Sequence, residues 1–161
     1  MAQRIEYNKV APLAVHALLG VQHYVDGQTS LDPKLQELVK MRASQINGCA
    51  YCLDMHSQDA RLKGETEQRL YTLSAWRETP FFNERERAAL AWTEAVTQIS
   101  RDRAPDEVYA EARRHFDEKE LVDLTMAIIA INCWNRLAIP FRTPPGQYHP
   151  RQRLELREKA A

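Results

Sequence analysis

Apolar residues in this chain recur at intervals of three and four, and no stretch shows the two-residue alternation of a half-buried strand. The first periodic segment runs from about Ala11 to Asp26, with Leu13, Val15, Leu18, Leu19 and Val21 apolar and Gly27 at its expected C-terminus. Asp32-Pro33 predicts the start of a second helix, with Asp as N-cap and Pro at the first helical position. Its stripe is Leu35, Leu38, Val39, Arg42 and Ile46, the arginine being expected at the edge. Asn47-Gly48 ends that helix, and a third is predicted from about Cys49 to near Gly64.

Asn83, followed by Glu84 and Glu86, predicts another helix start, with Ala88 to Ile99 as the body. A shorter helix is expected from Pro105 to near His115. Asp117 caps the longest apolar segment, Leu121 to Ile139, which Pro140 and the Pro144-Pro145-Gly146 loop are expected to terminate. Apolar residues surround most of that segment, so it is expected at the centre of the fold or in a subunit interface. The tail from His149, with Leu154 and Leu156 among many charges, reads as a short packed helix or a frayed end. The fold class is therefore all-α, and no internal repeat or linker divides the chain. The 161 residues fit one domain, 1–161.

Charge narrows the possible partners. Lysine plus arginine and aspartate plus glutamate number 22 each, giving formal net charge zero. Broad electrostatic attraction to nucleic acid or an anionic membrane is not expected, and one protection against self-association is missing. No apolar run was expected to approach the roughly 20 residues of a membrane span. Glu6 and Lys9 interrupt the start, which lacks the apolar stretch of a signal peptide, so the expected compartment is the cytoplasm. There, three cysteines are not a disulfide framework, and a Cys-x-x-Cys pair is expected to be reactive or metal-bound.

That pair is Cys49 and Cys52, followed by His56. Residues at i+3 and i+4 share a helix face, so both sulfurs and the imidazole can converge. At a helix start, unpaired N–H groups and the helix dipole favour a thiolate, and pKa values fall from about 8.5 into roughly the 3.5–7.5 range. His56 is placed to exchange a proton with Cys52, and Glu37 on the preceding helix is a candidate to complete a relay. The same residues offer a different use, as a non-enzymatic module that binds zinc or that senses redox state by switching its oligomer when Cys49 and Cys52 are oxidised. Two thiolates, His56 and Glu37 make four possible zinc ligands, although no second Cys-x-x-Cys or His pair follows. Haem attachment is excluded, because Leu53 stands where Cys-x-x-Cys-His requires histidine. As filler, the cysteines would simply be small buried hydrophobes.

The stretch from Glu37 to Gly64 resembles the core motif of the alkylhydroperoxidase D-like proteins, in the carboxymuconolactone decarboxylase superfamily. Trp76 to Phe81, Glu84 to Trp92 and Ile131 to Arg136 extend the resemblance over most of the chain. The resemblance implies an all-helical fold, a homo-oligomer (trimer or hexamer), and reduction of hydroperoxides at the expense of an external thiol donor, with no cofactor or metal. By motif position it makes Cys52 the attacking thiol, Cys49 the resolving thiol, and Glu37 with His56 the proton relay. Decarboxylation is not implied, since that branch lacks the cysteine pair. One position departs from the characterised peroxidase: Tyr51 stands where that protein has a histidine, and a phenol with pKa near 10 is a poorer base at neutral pH. Cys133, Trp76, Trp92, Phe81 and Phe82 read as packing residues. Trp134, Asn135 and Arg136 can line the active-site wall or a subunit contact and read as mainly structural, and His16, His23, His115 and His149 as surface or capping groups.

Overall fold

Two local devices place the cysteines. Asp32 accepts the N–H groups of Lys34 at 2.8 Å and Leu35 at 3.1 Å, starting α3 (Pro33–Asn47) with Pro33 in its first turn. At the far end Gly48 adopts φ 72° and returns its N–H to the carbonyls of Ser44 and Gln45. A side chain there would bear the left-handed penalty of about 1–2 kcal/mol. That one step re-aims the chain so that Cys49 becomes the N-cap of α4 (Ala50–Leu62), its Sγ accepting the Cys52 N–H at 3.4 Å.

The computed structural model describes residues 2–150, and these are helical with no strand among them. The predicted tail from 151 onward, with Leu154 and Leu156, lies outside the described residues. Before α3 come α1 (Tyr7–Val10) and α2 (Pro12–Gly27); after α4 come α5 (Glu67–Thr72) and a 3-10 turn, Leu73–Glu78. The remainder is α6 (Glu84–Thr97), α7 (Ile99–Asp102), α8 (Asp106–His115) and α9 (Glu118–Phe141). Both Asn83 with Glu86 and Asp117 with Glu120 form reciprocal capping boxes, so these two helix starts lie where their side chains predicted.

Helix α3 runs through the middle, packed against α4, α6 and α9. On one side Leu35 and Val39 meet Trp92, Phe116, Leu124 and Ile128; on another Leu38 and Met41 meet Leu73, Trp76, Phe82 and Leu90. A third cluster brings Ala43 of α3 and Ile131 and Ala138 of α9 against Cys49 and Cys52. Arg42 lies at the stripe's edge as expected, held at 2.7 Å by Glu94, which also accepts from Trp76 Nε1 at 2.9 Å.

Three expectations need correcting. Helix α9 does not stop before Pro140 but carries it in its last turn and ends when Arg142 adopts φ 55°. A proline so near a C-terminus costs a single hydrogen bond. By length and mean hydropathy (1.3), α9 would also suffice to cross a membrane, contrary to the expectation that no segment would. Packing against α2, α3, α4 and α6 accounts for its apolar character, and it carries Asp123, Asn132 and Asn135 in hydrogen bonds. Gly27 makes no left-handed cap, because the helix closes through Gln28 in ordinary right-handed geometry.

Candidate active site

The two thiols lie in different surroundings although each is 1% exposed. Cys52 lines a cavity of about 730 Å³ between α2, α3, α4 and α9; Cys49 lies behind it. As N-cap, Cys49 receives the Cys52 N–H, and the Cys52 thiol also donates to it. These donors outweigh burial and pull the Cys49 thiol down to about 7. The reciprocal consequence falls on Cys52, whose thiol is pushed well up by the hydrogen bond to Cys49, by burial and by the charge on Cys49. The pair titrates as a unit: the first proton leaves near neutrality and the second is retained.

One turn after Cys52, His56 also lines the cavity, and its Nδ1 lies 2.8 Å from Glu37 Oε2. The other carboxylate oxygen accepts from Lys63 Nζ at 2.6 Å and Lys40 Nζ at 3.2 Å. Burial alone would raise the Glu37 pKa, but the His56 hydrogen bond and the charges of His56, Lys40 and Lys63 hold it far below the usual carboxylate range. An ionised carboxylate only accepts, so Nδ1 carries the hydrogen toward it, and in the neutral form of the ring Nε2 is the nitrogen left to accept a proton.

The sequence reading therefore named a set that the fold brings together: Cys52, His56, Glu37 and Tyr51 line the cavity, and Cys49 packs behind Cys52 in the cluster that Tyr51 also joins. It missed Lys40, only 4% exposed, and Lys63. A lysine three residues after Glu37, on the apolar side of the same helix, was the available signal for a buried ion pair. Of the two places open to Asn135 and Trp134, the active-site wall and a subunit contact, the structure shows the first. Asn135 is fully buried against the thiols, and Trp134 lines the cavity with its Nε1 donating to Gln22 at 3.0 Å. Cys133 is half-buried and joins no core cluster, and His115 pairs with Glu111 at 3.2 Å on the surface of α8.

The zinc set considered from the sequence is not assembled. Among the described residues, the ligand atoms that approach within 4.8 Å of one another are those of Glu37, His56 and Asp59, without either sulfur. Glu37 there is already held by His56, Lys40 and Lys63, and both ammonium groups would oppose an entering cation.

The family model for the carboxymuconolactone decarboxylase family matches residues 12–95. An uncharacterized protein of Bacillus subtilis, YdfG, is 46% identical over 139 residues, 86% of this chain and 94% of that protein. A crystal structure from Agrobacterium tumefaciens, of a protein of unknown function given a provisional assignment as the antioxidant defence protein AhpD, is 43% identical. It superposes with a TM-score of 0.88, covering 91% of this chain and all of that one. The debrominase Bmp8 is similar in fold, with a TM-score of 0.76 at 23% identity over 87% of this chain and 74% of its own.

Proposed function

The chain belongs to the carboxymuconolactone decarboxylase family as an alkylhydroperoxidase D-like protein, and on that footing we propose that it reduces hydroperoxides through the Cys49–Cys52 dithiol. The observation that carries this reading is the division of labour between the sulfurs. Cys52 reaches the cavity but has its thiol pushed up, so it needs a base, and His56 lies one turn away with Glu37 fixing its tautomer. Cys49, behind it and pulled down to about 7, is ionised enough near neutrality to close a disulfide.

The steps balance as follows. His56 Nε2 takes the Cys52 proton, and the thiolate attacks the terminal oxygen of ROOH. The O–O bond breaks, its electron pair leaves on the alkoxide oxygen, and His56 returns the proton to give ROH, leaving Cys52 as a sulfenic acid. Cys49 thiolate attacks that sulfur and expels hydroxide, which is protonated to water. Two thiols and one hydroperoxide become one disulfide, one alcohol and one water. An external dithiol then restores both electrons and both protons. Because Glu37 is held ionised by Lys40 and Lys63, it steers His56 without taking the proton itself.

The test is consumption of cumene hydroperoxide with a dithiol reductant, followed beside the loss of two hydrogens from the peptide 49–52 by mass spectrometry. Turnover with that disulfide is the expected result; no turnover, or one bound zinc per chain shielding both thiols, overturns the reading. In the same assay Tyr51→His is expected to raise turnover, since an imidazole passes protons at neutral pH where a phenol does not. Loss of turnover in Tyr51→Phe would instead make the phenol the proton carrier. The proposal includes a homo-oligomer built on the first helices, where Leu13 is 83% and Val10 75% exposed. Light scattering at micromolar concentration should show more than one chain per particle, and a stable monomer would remove this part.

A further inference from the structure

Two thiols with a shared negative charge are each 1% exposed among Ala43, Ile131 and Ala138, so little water can solvate an anion there although Cys52 borders the cavity. A buried charge is tolerated only where hydrogen-bond donors replace its hydration. The helix start supplies the Cys52 N–H to Cys49. It supplies nothing comparable to Cys52, the sulfur that must become the nucleophile. The missing donor comes from α9, at a position that local sequence gives no reason to connect with chemistry.

Asn135 is fully buried on α9, level with the cysteines. Its amide cannot turn. Oδ1 accepts from Asn47 Nδ2 at 2.8 Å, and Nδ2 donates one hydrogen to Ser44 Oγ at 3.2 Å. Asn47 is held in its turn by Asn132 Oδ1 at 3.0 Å, which also accepts from Arg136 Nη1 at 2.7 Å. With one amide hydrogen on Ser44, the second is left for sulfur, and the buried amide acts on both thiols as a donor that favours their ionised form. Ser44, having accepted from Asn135, keeps its own proton to give to Cys52. Polar groups of α3 and α9 therefore converge on the sulfurs. Donors this buried and this fixed need no reorganisation when charge appears, which is the condition under which hydrogen bonds help an anion most.

We propose that Asn135 is a catalytic residue of this site: its amide N–H, aimed by Asn47 and Ser44, holds the thiolate on whichever of Cys49 and Cys52 carries it. The role rests on the dithiol reading above, and it gives that chemistry something the helix start cannot. A donor shared by both sulfurs accompanies the charge from Cys52, when it attacks, to Cys49, when it closes the disulfide. The main chain of α4 serves Cys49 alone.

The test is the rate of iodoacetamide alkylation against pH, with the modified cysteine mapped by mass spectrometry, in wild type, Asn135→Ala, Asn135→Asp and Ser44→Ala. Losing a hydrogen bond to a charged group is expected to slow alkylation near pH 7 about tenfold in Asn135→Ala and to move the curve up by about one pH unit. Asn135→Asp keeps the size but sets a carboxylate against the thiols and should move the curve further. Ser44→Ala, which frees the amide from its aim and removes the hydroxyl donor to Cys52 but leaves the amide itself, should move it less. Circular dichroism establishes which variants fold. A wild-type curve in any folded variant at position 135 overturns the proposal. Should neither of those fold, Ser44→Ala decides, and an unmoved curve there sets the proposal aside. Because alkylation needs no peroxide, the outcomes separate. Shifted curves in a protein without peroxide turnover would leave Asn135 in place and remove the peroxidase reading; turnover with unshifted curves would do the reverse.

Discussion

Cys52→Ser is expected to abolish dithiol-dependent hydroperoxide turnover, a loss of about 10³-fold or more, because no other nucleophile stands at that point of the cavity wall. Cys49→Ser should behave differently. It keeps the sulfur that meets the peroxide and removes the one that resolves it, so a single equivalent of peroxide is still reduced and Cys52 is left as a sulfenic acid that dimedone traps. The pKa of Cys52 should also fall in that variant. Its thiol stands high first because it donates to Cys49 and then because of burial and the Cys49 charge; the substitution removes that charge and puts in its place a hydroxyl that can itself donate to a Cys52 thiolate. Alkylation of Cys52 near pH 7 should accordingly be faster in Cys49→Ser than in wild type. The decisive measurement is the location of the dimedone adduct. An adduct on Cys49 in Cys52→Ser, with Cys49→Ser inert, would exchange the two roles and make the thiol pulled down to about 7 the attacking one.

Glu37→Gln is expected to lower turnover by about 10²–10³-fold and also to destabilise the fold. Catalytically, an amide can present its N–H to His56 as readily as its oxygen, so the tautomer with a basic Nε2 is no longer imposed. Structurally, the change leaves Lys40, 4% exposed, with Asp26 at 3.6 Å as its remaining acidic partner among the described residues, and deprives Lys63 of its 2.6 Å partner. Breaking a buried pair from one side costs about 3–5 kcal/mol, and the remaining Asp26 contact argues for the lower end. The pH dependence has a definite sign. Glu37 is a carboxyl whose folded pKa is depressed below its ordinary 4.5, so its contribution is fully present above that value and is lost as pH falls through the acid range toward the folded pKa. The stability gap between wild type and Glu37→Gln in urea should therefore be wide at about pH 6 and shrink by about pH 3. A gap independent of pH would mean that Glu37 is not the charged partner of these lysines.

The helices around the site were legible because their signals are local. Asp32, Asn83 and Asp117 each cap the helix start they predicted, through hydrogen bonds two or three residues long, and Gly48 makes the left-handed step that sets Cys49 at the head of α4. The i, i+3, i+4 spacing of Cys49, Cys52 and His56 likewise follows from one helix and one turn. Where local signals weaken, the reading missed elements. The α5 segment and the 3-10 turn after it are short, and Ala75 breaks the helical geometry inside that turn, so no periodic stripe long enough to recognise exists there.

What the chain determines by itself is thus an all-α architecture and a helix that begins with two thiols and continues to an imidazole, since caps, periodicity and turn residues act over three or four positions. Which side chains complete the site was decided only by tertiary packing. Lys63 reaches Glu37 across 26 residues and Asn135 reaches Ser44 across 91, distances over which no periodicity carries information. The asymmetry between the sulfurs has the same origin. Cys49 and Cys52 are alike in the sequence, but the fold opens a cavity in front of one and closes α9 over the other. A buried polar group is satisfied by whatever the packed helices bring to it, and its charge state follows from those partners rather than from its neighbours along the chain.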